Sequence, residues 1–334
     1  MSNRDFAGRV KLIANPGAGD PVESSARLEQ VTRFLLDLGV NVDVALAHPV
    51  KEAVAIAKKA VKKGYSTVIA MGGDGTISAV IRGIVGSDVH LGIIPGGTEN
   101  DIAASLGIPE DLKQACALIA SDHTRELDLA QISTKDTKKF VFFMVTTVGL
   151  TTTLYPHLKD VPHGDLSSIK GAITTLLHTK PDPKVYLTLD DESKIEVETM
   201  LVTITNTPLI GAKNLVAPDA STEDGLLDIA VYPNFSKAEL VAYFAKSAQE
   251  RETSDGKIQR YRAQKIKIKT EPPLEIAAEG ILLGEGKAKI KVLPRALKVI
   301  APEPGVGAEK PVEETGQDLP APVSESAGAE PESK

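Results

Sequence analysis

Thr67-Val68-Ile69-Ala70-Met71-Gly72-Gly73-Asp74-Gly75-Thr76 and, one βα unit later, Leu91-Gly92-Ile93-Ile94-Pro95-Gly96-Gly97-Thr98-Glu99-Asn100-Asp101 decide the fold. In each, a short apolar run reads as a buried strand, a glycine-rich turn follows, and a helix-like segment opens behind it. Glycine lets backbone approach a ligand without a Cβ in the way. Successive N–H groups at a helix start attract an anion. Asp74 and Asp101 would repel a bare phosphate. They make sense with a divalent cation or a substrate hydroxyl between them and the phosphates.

Outward from these loops, residues 9–121 alternate strand and helix. Arg9–Asn15 is apolar and ends in the turn Asn15-Pro16-Gly17-Ala18-Gly19. Residues 22–38 place Leu28, Val31, Leu35 and Leu38 at helical spacing, and Gly39 suits the position just past the helix end. Val40, Val42, Val44 and Leu46 alternate as a half-buried strand would. Pro49 suits the first turn of a second helix ending at Gly64. Such alternation predicts a parallel sheet flanked by helices, with ligands at the carboxyl ends of its strands, where all three glycine-rich turns would meet.

From about residue 125 the pattern becomes mostly β. Strands are expected at Arg125–Ser133, Lys139–Val148, Lys184–Asp190, Ile195–Asn206, Leu226–Tyr232, Ile258–Thr270 and Ala288–Leu293, with a hairpin turn at Asp190–Ser193. Helical patterns remain at residues 165–178 and 237–249. The fold class is therefore α/β plus β: a Rossmann-like domain over residues 1–124, completed by 296–302, then a β-sandwich over 125–295 with a ligand cleft between. Residues 303–334 hold eight acids and two lysines, so the tail carries −6 of the net −7 and the rest is almost neutral. The tail is expected to be disordered, and nothing points to a nucleic-acid footprint. There is no apolar run of about 18 residues, hence no transmembrane helix is expected, and no signal-peptide pattern opens the chain. The single cysteine, Cys116, reads as a core residue. The six histidines have no metal-site spacing. The basic run Lys257, Arg260, Arg262, Lys265, Lys267, Lys269 reads as a solvated sheet face.

These motifs, with Ala217-Pro218-Asp219-Ala220, Asp224-Gly225-Leu226-Leu227-Asp228 and Leu293-Pro294-Arg295-Ala296-Leu297, resemble the diacylglycerol kinase catalytic-domain family in its bacterial lipid-kinase branch. The glycine loop alone is less specific, being similar in NAD kinases and phosphofructokinases. The resemblance implies ATP, Mg²⁺ and phosphorylation of a lipid hydroxyl, with diacylglycerol or a related lipid as acceptor. It implies nucleotide contacts at Asn15, Pro16, Gly17, Ala18, Gly19, Gly72, Gly73, Asp74, Gly75, Thr76, Ile77, Ser78, Thr98 and Asn100. It also implies a structural divalent ion on the Asp224 carboxylate and the Ser221 and Leu226 carbonyls. The implied partners are ATP and a lipid acceptor at a membrane surface, in a cytoplasmic protein peripheral to the inner membrane face; a homodimer is left open.

Three departures stand out. A lysine that often follows the first turn is Asp20, and a nucleotide-contacting threonine is Ala47. The family's catalytic glutamate falls at Ile281, which can neither accept a proton nor orient a hydroxyl. The substitute bases are Glu279, on the same face if the segment is extended although Gly280 marks a turn, Glu285, and Asp101. Beside an ATP-dependent lipid kinase stand a non-catalytic nucleotide or lipid binder that lost its base, and a kinase for another hydroxyl acceptor.

Overall fold

The computed structural model describes residues 8–17, 21–121, 123–150, 183–210, 214–249 and 256–304. The expected helix at 165–178, the acidic tail beyond 304, Ala18 and Gly19 lie outside the described residues. In the N-terminal part, β1 (Val10–Ala14), β2 (Val42–Leu46), β3 (Thr67–Gly72) and β4 (His90–Pro95) run parallel in the order β4-β3-β1-β2. Helices α1 (Pro21–Asp37), α2 (Glu52–Lys62), α3 (Asp74–Ile84), α4 (Asp101–Ser105) and α5 (Leu112–Ile119) connect or follow these strands. In α1, Val31 and Leu35 are fully buried, and Gly39 takes a positive φ just past its end. The α2 face is Ala53, Ala57 and Ala60, small enough for Gly83 of α3 to approach until an added Cβ would stand 2.4 Å from the Ala57 Cβ.

The remainder is a β-sandwich. One layer holds β5 (Thr124–Thr134), β6 (Phe140–Phe142), β8 (Lys184–Leu189), β14 (Lys265–Glu271) and β17 (Lys287–Ile300). The other holds β7 (Val145–Gly149), β12 (Leu227–Pro233), β13 (Gln259–Ala263), β15 (Glu275–Ala278) and β16 (Ile281–Glu285). The long β9 (Ser193–Thr205) pairs in both. Their inner faces share one core, with Ile266, Ile268 and Ile290 opposite Val202, Ile204 and Ile229. β10 (Leu209–Ile210) and β11 (Asn214–Leu215) form a separate ribbon, and α6 (Lys237–Gln249) closes an aromatic cluster of Tyr232, Phe235, Tyr243 and Phe244. β17 is one strand, not the two pieces expected. Beyond a bulge between Leu293 and Leu297, Lys298 and Val299 pair parallel with His90 and Leu91 of β4.

Several local expectations need correction. β2 pairs only with β1, so as an edge strand it leaves Val44 42% and Leu46 54% exposed. Leu38 falls beyond α1 and is also exposed. Pro49 belongs to a turn in which its carbonyl accepts from Glu52 N; the helix starts at Glu52. The strand expected over 139–148 is broken at Phe143–Met144, whose N–H groups both turn to the Glu279 carboxylate, at 2.8 and 3.3 Å. The strand expected over 258–270 is broken at Gln264 for the same kind of reason. Asp190 accepts from Gln264 N and Lys265 N, at 3.0 and 2.8 Å. A carboxylate that takes two consecutive N–H groups removes them from the ladder, which hydropathy does not record.

Candidate functional site

Parallel pairing of Gly72 with Pro95 puts the two glycine turns side by side at one sheet edge. Gly96 N donates to Gly72 O at 3.0 Å. A Cβ on Gly97 would stand 2.5 Å from the Gly73 Cα, and one on Gly96 3.3 Å from the Gly72 Cα. These glycines therefore serve loop-to-loop contact first. Gly75 has open space around its missing Cβ and leaves room for a ligand at the start of α3. The third turn joins them: Asn15 N donates to Met71 O, the Asn15 side-chain amide donates to the Thr76 hydroxyl at 3.3 Å, and Gly17 N donates to Asn15 Oδ1 at 3.0 Å.

Beside these turns a pocket is lined by Asn15, Pro16, Leu28, Leu46, Met71 and Gly72. Its apolar wall of Leu28, Leu46 and Met71 suits a planar base, with the glycine turns at its polar end. Leu46, so exposed for its type, is part of that wall; the alternation along the sequence marks it only as a strand residue. Arg27 of α1 ties the pocket to the second loop by donating to Pro95 O at 3.1 Å.

The expected contact residues divide by geometry. Thr98 is exposed at the loop tip. Asn100, at φ 55°, staples its own loop, accepting from Gly97 N at 2.8 Å and donating to Gly97 O at 3.0 Å. Ile77 is fully buried in the first core and Ser78 is 3% exposed, beside the Glu279 carboxylate. The first turn of α3 thus carries both side chains into the core. Asp74 caps α4 across the loop contact, its oxygens accepting from Asp101 N (3.1 Å) and Ile102 N (2.8 Å).

Asp101 is 1% exposed. One carboxylate oxygen from each of Asp74, Glu99 and Asp101 lies within 4.8 Å of the others, and this is the one such group among the described residues. Three converging carboxylates match the oxygen donors that a hard divalent cation takes, so Mg²⁺ fits here. Glu99 adds a donor that neither motif nor spacing in the sequence marks. The structural ion expected at Ser221, Asp224 and Leu226 fits less well. Asp224 Oδ1 accepts from Leu226 N at 3.0 Å, and Oδ2 is held by Arg262, which also reaches Asp228 at 3.2 Å. The positive charge at Asp224 and Asp228 thus comes from a side chain.

Glu279 does not sit in an extended strand. With Gly280 it forms the positive-φ turn between β15 and β16, at 50° and 76°. That turn sends its side chain inward, 5% exposed, onto Arg82 of α3 at 2.9 Å and onto the Phe143 and Met144 N–H groups. Burial pushes its pKa up, while Phe143 N–H and Arg82 oppose the shift. Ile281 is 44% exposed. Glu285 is exposed on β16.

With this geometry in place, the chain can be set beside known proteins. Residues 9–132 match the diacylglycerol kinase catalytic domain, and 157–301 match the YegS C-terminal NAD kinase beta sandwich-like domain. The chain is 28% identical over 305 residues to the diacylglycerol kinase of Mycobacterium tuberculosis, covering 90% of this chain and 98% of that one. It is 26% identical over 307 residues to that of Bacillus subtilis, covering 88% and 97%. A crystal structure of a diacylglycerol kinase from Bacillus anthracis shares the fold, with a TM-score of 0.67 at 22% identity over 89% of this chain and 97% of that one. Two touching glycine turns under a β-sandwich, and matches that span both parts, lead to one conclusion: the chain belongs to the diacylglycerol kinase catalytic-domain family.

Proposed function

We propose that this protein is an ATP- and Mg²⁺-dependent lipid kinase that transfers the γ-phosphoryl group to a hydroxyl of diacylglycerol or a related lipid. Family membership and the relatives' names support a lipid kinase type of enzyme. The observation that carries the finer reading is the joint edge of three turns, with the N–H groups at the start of α3, an apolar pocket on one side and three carboxylates on the other.

Phosphoryl transfer depends mainly on positioning and on stabilising charge. The Gly73–Gly75 amides would hold phosphate oxygens, and Leu28, Leu46 and Met71 the base. Asp74 and Glu99 would hold Mg²⁺, which would neutralise charge on the phosphates, and Asp101 lies beside them. With isoleucine at 281 and Glu279 locked to Arg82, Asp101 is the proton acceptor in this reading, and Glu279 a positioning residue that keeps β15–β16 against α3.

Labelled ATP, Mg²⁺ and diacylglycerol in neutral detergent micelles test it. Asp101→Asn should lower the rate by about 10²–10⁴-fold, the usual contribution of a general base. Glu279→Gln should lower it much less. A parent protein with no affinity for an adenine nucleotide in Mg²⁺ would overturn the kinase reading. A parent that is inert until Ile281→Glu restores transfer would establish a binder that had lost its base.

A further inference from the structure

The register of β14 on β17 sets three lysine pairs directly opposite one another: Lys265 with Lys291, Lys267 with Lys289, and Lys269 with Lys287. All six are exposed, and they alternate with Ile266, Ile268, Ala288 and Ile290, which point into the sandwich core. Like charges directly opposite across a strand pair are destabilising, and here the arrangement repeats three times. Asp191 pairs with Lys267 and Glu271 with Lys269; no ion pair is found among the described residues for Lys265, Lys287, Lys289 or Lys291. Toward β9 the face is bounded by Glu196 and Glu198, with Glu196 held by Lys184. Toward β5 it meets Gln131 and Ser133.

The basic surface continues past β5. The turn joining β5 to β6 carries exposed Lys135, Lys138 and Lys139, and its Thr137 hydroxyl donates to Leu283 O of β16 at 3.0 Å. Next to Leu283, Ile281 and Leu282 are 44% and 60% exposed. They follow the Glu279 turn that locks onto α3, the helix opened by the first glycine loop. An exposed lysine face, the three lysines of the β5–β6 turn and an apolar tip on β16 thus adjoin one another through that turn.

We infer that this lysine ladder, with the Ile281–Leu282 tip, is a docking surface for an anionic phospholipid bilayer. The inference rests on the lipid acceptor proposed above. Lysines near such a surface are drawn to its headgroups, and a short apolar tip reaches the interfacial layer. A nucleic acid suits the face less well. Among the described residues Tyr186 is its one aromatic, and the whole chain carries −7.

The test is co-sedimentation of the full chain with phosphatidylcholine vesicles, with and without about 30 mol% phosphatidylglycerol. Expected is binding that needs the phosphatidylglycerol and fades as salt rises from about 0.1 to about 0.5 M. K289Q/K291Q should bind about thirty-fold more weakly and melt no lower than the parent, because it removes opposed charges. L282S should weaken vesicle binding and leave its salt dependence in place. Binding indifferent to phosphatidylglycerol or to K289Q/K291Q overturns the inference, as does tighter binding to a DNA or RNA oligonucleotide than to the vesicles. In neutral detergent micelles K289Q/K291Q should phosphorylate lipid as the parent does. Loss of transfer by the parent in that assay counts against the kinase reading and leaves the vesicle result to stand or fall alone.

Discussion

Glu279 is a carboxylate with no room for a second job. Arg82, two backbone N–H groups and the Ser78 hydroxyl surround it at 5% exposure. Removing it by Glu279→Ala leaves Arg82 partly buried without its carboxylate, a loss of about 3 kcal/mol in urea unfolding. Its raised pKa fixes a pH dependence. A carboxyl whose folded pKa lies above the unfolded value contributes most below the ordinary glutamate range, and that contribution is lost as pH rises through the folded value. The stability gap between parent and Glu279→Gln should therefore narrow as pH rises from about 4 toward 7, read by urea midpoints across that range. Arg262 is the second informative side chain. It supplies the cation between Asp224 and Asp228. Arg262→Ala should melt lower and regain part of the loss when Mg²⁺ is added. An Arg262→Ala variant that gains no more from Mg²⁺ than the parent does would count against this placement.

The glycine turns show at the level of elements how one residue type serves two needs. Gly97 lies against Gly73, whereas Gly75 faces open space. Gly97→Ala must push the turns apart and should destabilise by about 1–3 kcal/mol, as overpacking does. Gly75→Ala should leave the melting temperature within a degree or so, yet weaken ATP binding, because its Cβ enters the space where the phosphates would lie. Calorimetric melting with nucleotide titration separates the two; equal effects in both assays would count against that placement. The sequence marked both as glycine turns but could not say which glycine answers to protein and which to ligand. Asp74 makes the same point. Its chemistry suggested a cation, and the fold adds a cap on α4 that only contact between the turns creates.

At the scale of the whole molecule, β5 and β17 hold the two parts together. Leu127 and Leu129 of β5 lie in the first core while Ala130 and Ile132 lie in the second. β17 likewise gives Leu297 and Val299 to one and Ala288 and Ile290 to the other. Neither core can lose these strands without exposing the other, so thermal unfolding should be a single transition by near- and far-ultraviolet circular dichroism, and ATP with Mg²⁺ should shift all of it upward. Two separated transitions would show that the cores melt independently.

The βα alternation, the glycine turns and the change to β texture near residue 125 are local patterns, carried by residues a few positions apart. The chain alone therefore determined the parallel domain, the sandwich behind it and the edge where a nucleotide would lie. What only the tertiary structure decided is pairing between distant segments. It turned Glu279 inward onto Arg82, set Arg262 on Asp224, opened Leu46 onto a pocket by leaving β2 at the edge, and stacked Lys287, Lys289 and Lys291 against Lys269, Lys267 and Lys265. A side chain's distant partner depends on register and on the direction of a turn. Hydropathy and spacing along one strand carry no record of either.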